Sequence, residues 1–74
     1  MEVEFSKHAI DQIKIRSSIT KQMVYECLQN SDDVLSSYRD RELYIKRINN
    51  GLLEVVAVKE DNKLIVITAY ILED

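Results

Sequence analysis

The apolar positions of this chain repeat with two different periods. From Ser6 to about Arg16, Ala9, Ile10 and Ile13 fall on one helical face, and His8, Gln12 and Arg16 recur every four residues as a polar stripe beside it. Ser6 is a good N-cap for this segment. The stretch "RSSIT" breaks the pattern, and Thr20 supplies a second cap with Ile19 and Val24 at the two positions of a hydrophobic staple. Met23, Val24, Cys27 and Leu28 give the buried face of a second helix ending near Asn30, where "NSDD" is turn chemistry. After Asp33 the period falls to two. "VLSSYR", "ELYIKRI", "LLEVVAVK" and "KLIVITAYIL" are strand-like runs separated by "DR", "NNG" and "EDN", and Asn50-Gly51 readily supplies positive φ. The opening "VEF" is short and strand-capable. The expectation is a single α+β domain over residues 1–74, with two N-terminal helices packed on one face of a four-stranded antiparallel meander.

Strand parity then assigns faces. Ile65, Ile67, Ala69 and Ile71 are expected to face the helices, with Val66, Thr68 and Tyr70 opposite; likewise Leu43, Ile45 and Arg47 oppose Tyr44, Lys46 and Ile48. Tyr44, Lys46, Thr68 and Tyr70 would then gather on the open face. Alternation alone puts polar residues there, but these types suit a phosphate and stacked bases. The expected core is Ile10, Ile13, Val24, Leu28, Ile45, Val56, Ile65 and Ile67.

Composition narrows the function classes. Apolar residues make up 46% of the 74 and charged residues 31%, so the chain is globular rather than disordered. A core of this size leaves a thin stability margin that a partner can supplement, and the β-rich C-terminal run could pair at its edge in a homodimer. The lone Cys27 excludes an internal disulfide, and with no signal peptide the simplest compartment is a reducing cytoplasm. The run "LIVITAYIL" is too short to span a membrane, and one His with one Cys cannot supply a structural zinc set. A net charge of -3 argues against a protein that coats nucleic acid. Residues 38–47 carry four cations against two acids, either a solvated strand with cross-strand ion pairs or a small basic site on an acidic body.

His8 is the only side chain here of a type that ordinarily titrates near neutrality. It reads equally as a first-turn surface residue bonded to a carboxylate such as Glu4, and Arg16 reads also as a C-terminal helix cap. Tyr38 and Tyr44 read as packing residues.

Four short segments in order, "SKHA" (6–9), "RSSIT" (16–20), "YIKRI" (44–48) and "ITAY" (67–70), resemble a family of short domains in the ribonuclease superfamily that joins barnase, EndoU, the colicin tRNases and the RelE- and BrnT-type bacterial toxins. The resemblance implies a RelE-like fold and RNA cleavage that needs no metal or other cofactor, in the cytoplasm, by a toxin-type endoribonuclease held by an antitoxin protein. Its substrate would be tRNA or mRNA. Such cleavage uses the ribose 2′-OH as nucleophile on the adjacent phosphate. In that chemistry His8 would be the acid/base, Arg16 and Lys46 would clamp the phosphate, and Thr68 and Tyr70 would donate hydrogen bonds. The alternative is a non-catalytic domain of the same fold that binds RNA or a protein. The chain departs from RelE-like toxins in being short and acidic.

Overall fold

The computed structural model describes residues 2–74. Its elements run β1 (Glu2–Phe5), α1 (Lys7–Ile15), α2 (Lys21–Gln29), β2 (Asp33–Ser36), β3 (Arg41–Ile48), β4 (Gly51–Glu60) and β5 (Lys63–Glu73). The sheet is not the expected four-stranded antiparallel meander. It has five strands in the order β1-β5-β4-β3-β2, and β1 pairs parallel to β5. The pattern in "VEF" could show a strand but not its neighbour, because β1 has no hairpin partner. The helical pair carries the chain from β1 at one edge to β2 at the other, and the meander then brings β5 back beside β1. Phe5 is held there by an edge-on contact with Tyr25 of α2, ring centroids 5.6 Å apart.

Both helices start where the capping chemistry placed them. The Ala9 amide donates to Ser6 Oγ at 3.1 Å, and the Met23 amide donates to Thr20 Oγ1 at 3.1 Å. Ile19 and Val24, the staple pair, are both buried. The hairpin between β2 and β3 turns on Arg39 and Asp40, both at positive φ. Gly51 has a different role from the turn residue expected of it. It is the first residue of β4, and a side chain there would run into the Leu72 carbonyl, with Glu73 Cα only 2.9 Å away.

A bulge decides which residues face the helices. Val56 pairs with Thr68 and Ala57 with Val66, so Ile67 has no partner in β4. Parity along β5 therefore reverses at Ile67: Leu64 and Val66 before it and Ala69 after it are all buried under the helices. On β3, Tyr44 pairs with buried Val55 and Lys46 with buried Leu53, which puts both on the helix side. Thr68 and Tyr70 stay on the open face. The four polar residues expected together are thus split between faces.

The core consists of Ala9, Ile19, Val24 and Cys27 from the helical half against Tyr44, Leu53, Val55, Ala57, Leu64, Val66 and Ala69 from the sheet. Of the expected core, Val24 is buried, and Ile13 and Leu28 pack against it partly buried. Ile10 is half-buried, as is Ile67 at the bulge. Ile45, Val56 and Ile65 belong to the open face and are half-buried. The error has two causes, the bulge at Ile67, which reverses parity and turns Ile65 to the face opposite Ala69, and the pattern of β4. Both faces of β4 are apolar, so alternation does not mark the inner one.

Candidate functional site

β1 covers β5 only from Lys63 to Val66. Beyond Val66 the outer edge of β5 is met by α1 instead. The Ser6 amide donates to Val66 O at 2.9 Å, Ser6 Oγ donates to Ile67 O at 3.3 Å, and Arg16 Nη1 donates to Ala69 O at 2.6 Å. Helix α1 is thus tied at its two ends to the carbonyls of Val66, Ile67 and Ala69 on β5. Ten residues of helix advance roughly 15 Å and two of strand roughly 7 Å, so the long Arg16 side chain takes up the difference.

The polar stripe winds into this seam. Taking fully buried Ala9 as the inward direction, His8 lies about 100° round the helix, Gln12 about 60° and Arg16 about 20°, all on the side away from Ile13. Arg16 therefore reaches the strand edge while His8 stays exposed on the flank. Thr68 and Tyr70 flank Ala69, whose carbonyl holds the guanidinium. Arg16 and Tyr70 also share a cleft of about 460 Å³ with Ser18, Asn50, Glu73 and the side of Ile71. His8 does not line that cleft. Glu4, its suggested partner, pairs with Lys63 at 3.1 Å instead.

Lys46 is elsewhere. It lies two strands from β5 on the helix face, and its Nζ donates to Asn30 O at 3.3 Å, closing the C-terminal end of α2. The rest of the basic segment 38–47 is likewise engaged locally. Arg39 and Arg41 each stack 5.8 Å from the Tyr38 ring, and Arg47 forms a bidentate pair with Asp74 at 2.6 and 3.2 Å. The local excess of cations lies instead on α1 and its cap, where Lys7, Lys14 and Arg16, all exposed, face only Asp11.

Two tyrosines are held protonated. Burial raises Tyr44 to about 12, and the hydrogen bond to Glu42 Oε1 at 2.8 Å adds to it. Tyr70 is also raised, by burial first and then by Glu54, its cross-strand neighbour. A raised phenol donates hydrogen bonds and does not act as a base near neutrality. Cys27 is inside the core with its thiol directed at Tyr44 O, 3.5 Å away, and burial lifts it to about 11 against a lowering by Lys46.

Pattern reading passed over Ser18, Asn50 and Glu73, for which the sequence holds no signal, since they meet only through the fold. Glu54 did carry one, as the lone acid in "LLEVVAV". Among the described residues no helix is long and apolar enough to cross a membrane, and no cluster of His, Cys, Asp and Glu could hold a metal ion.

A comparison with curated proteins found no match, and neither did one with solved structures. One family model does match, over residues 5–71, a span that holds both helices, β2, β3, β4, most of β5, and Ser6, His8, Arg16 and Thr68 to Tyr70. The chain belongs to that family, described as a domain of unknown function (DUF4258).

Proposed function

We propose that the seam between α1 and the free edge of β5 binds the phosphodiester backbone of RNA and cleaves it as a toxin-type endoribonuclease in the cytoplasm. The observation that carries the reading is the bond from Arg16 to Ala69 O, which fixes a guanidinium at the strand edge beyond β1, in a cleft that Tyr70 also lines. An arginine with one donor on a carbonyl retains further donors for a phosphate. The resemblance of "SKHA", "RSSIT" and "ITAY" to the RelE-containing superfamily supports the same chemistry. His8 removes the proton from the ribose 2′-OH. The 2′-oxygen attacks the adjacent phosphorus, the 5′-oxygen leaves with a proton returned to it, and a cyclic phosphate remains. Arg16 neutralises the charge that develops on the phosphoryl oxygens, with Thr68 and Tyr70 as hydrogen-bond donors. Lys46 has no part in this reading, because it is on the other face.

The test is to incubate the purified protein with total RNA and with tRNA in chelator, beside His8→Ala, Arg16→Ala and Lys46→Ala. Cleavage is expected from the wild type and from Lys46→Ala, and none from His8→Ala. Arg16→Ala should lose about 1.5–3 kcal/mol of transition-state stabilisation, the worth of a charge-assisted hydrogen bond. Circular dichroism of each variant separates lost chemistry from lost fold. Intact RNA with the wild type, or undiminished cleavage by His8→Ala, overturns the proposal.

A further inference from the structure

The face of the sheet away from the helices is largely apolar at its centre, and nothing among the described residues covers it. Sheet register puts Ile45, Glu54 and Tyr70 in one row across three strands, with Leu43 and Val56 on one side of that row and Leu52 on the other. Glu54 is therefore the centre of the face. Neighbouring side chains leave it only 8% exposed, while the outlying Leu35 and Leu72 remain 46% and 50% exposed. Polar residues are the rule on an open sheet face. An apolar one with a shielded acid at its middle calls for an occupant.

The chemistry of that occupant follows from charge and area. Among the described residues no lysine or arginine pairs with Glu54. Arg47, a cation of the same face, is held by Asp74. Tyr70 stands beside the carboxylate and is kept protonated there. The Tyr70 hydroxyl is one donor already set against this carboxylate, and covering the rest of it is costly unless a cation or further donors meet it. A second copy stacked face to face would set Glu54 against Glu54. A nucleic acid would bring phosphates to an acid. Each sheet position covers roughly 30 Å², from strand spacing and same-face repeat, so those six aliphatic positions, with the Val58–Ile65 pair on the same face, offer roughly 250 Å². That is well below the roughly 800 Å² per partner of a standard stable interface. It suits a short segment rather than a broad globular surface.

We propose that this face docks a polypeptide segment presenting one lysine or arginine among apolar side chains, with the cation seated on Glu54. The apolar flanks exclude water from the pair, which makes the pair selective, because a segment without the cation would bury the charge with only the Tyr70 hydroxyl to meet it. Glu54 belongs to no step of the cleavage chemistry, although its neighbour Tyr70 faces both sites.

The experiment is to pan a random-peptide display library on the purified protein. Enriched peptides should share a single basic residue flanked by aliphatic or aromatic ones. Synthetic copies should shift the amide resonances of Ile45, Leu52 and Tyr70 rather than those of α1 and α2. Glu54→Gln, nearly isosteric, should weaken them on the order of 10- to 100-fold, as loss of a charge-assisted pair does, while Glu60→Gln at the far end of β4 should bind as the wild type does. The proposal is overturned if no binder emerges at this face, if the enriched peptides lack a basic residue, or if Glu54→Gln binds equally well. It is also overturned if oligonucleotide or self-association occupies these residues instead.

Discussion

Adjacent leucines on β4 give a direct measure of which face is the core. Leu53 is 1% exposed and points into the helices, whereas Leu52 is half-buried on the open face. Truncating a leucine to alanine removes three carbons, worth about 2.4 kcal/mol of transfer at ~0.8 per methylene. At Leu53 a cavity term is added, because Val24, Cys27 and Val55 around it belong to elements fixed by the sheet and the caps. The expected loss for Leu53→Ala is therefore about 3–4 kcal/mol. At Leu52 up to about a third of the transfer term is never gained on folding, and solvent fills the gap, so the loss for Leu52→Ala is about 1.5–2 kcal/mol. A domain of this length has roughly 4–11 kcal/mol in all. At ~4–8 °C per kcal/mol, Leu53→Ala should melt roughly 12–30 °C below the wild type and Leu52→Ala roughly 6–16 °C below it. Thermal melts followed by circular dichroism decide it. Equal shifts for the two variants, or a larger one for Leu52→Ala, would show that the sheet packs on the opposite face and that the register argument is wrong.

Two further outcomes follow from the same packing. Gly51→Ala should destabilise the protein by several kcal/mol or abolish folding, because the new Cβ meets backbone of β5 that cannot move aside; a melt unchanged from wild type would show that the β4–β5 spacing at Leu72 is looser than described. Stability should also fall at alkaline pH. Folding raises Cys27 from 9.0 to about 11 and Tyr44 from 10.0 to about 12. The unfolded chain then releases these protons first, so the two contributions are whole below about pH 9 and are lost as pH climbs through 9–12. Urea unfolding across that range should show the decline. It should be abolished in large part by Cys27→Ala combined with Tyr44→Phe, and a decline that persists in full in the double variant would assign it to other groups.

Much of the local structure is legible in the sequence because local chemistry decides it. Ser6 and Thr20 fix the helix starts through side-chain bonds to amides three residues on, and the Ile19–Val24 staple needs nothing beyond its own turn. What is not legible depends on residues far apart in the chain. The place of β1 beside β5 follows from the path of the whole chain, and Phe5 finds Tyr25 only after α2 has folded back. Side choice failed on β3 and β4 for a related reason. "LLEVVAV" has apolar residues at both parities, so alternation cannot say which set is inside. The candidate site was legible in part. The spacing of His8, Gln12 and Arg16 does lay a polar stripe along α1, and Arg16 meets β5 beside Thr68 and Tyr70. Lys46 was grouped with them by parity and charge alone, and its bond to Asn30 O at the end of α2 was invisible to both.

The bulge at Ile67 ties the fold to the site. Had β5 kept one parity from Leu64 onward, Val66, Thr68 and Tyr70 would all point at the helices, and a threonine and a tyrosine would occupy the core opposite Ala9 and Ile19. The unpaired residue reverses the alternation, so the strand buries Leu64 and Val66 before it and Ala69 after it, and turns Thr68 and Tyr70 outward. The same stretch is where strand cover ends, since β1 stops at Val66, and where Ser6 and Arg16 take the carbonyls of Ile67 and Ala69. Bulges at a sheet edge commonly re-aim side chains beside functional sites. Here one bulge serves both surfaces. It sets Tyr70 next to Glu54 on the open face, and the unpaired residue's own carbonyl accepts from the Ser6 hydroxyl at the edge. Deleting Ile67 would leave Val56–Thr68 and Ala57–Val66 as adjacent regular pairs. That variant should lose the Ser6 anchor of the seam while Thr68 and Tyr70 still face outward, with amide exchange at Ser6 and the Tyr70 ring resonances as the readouts.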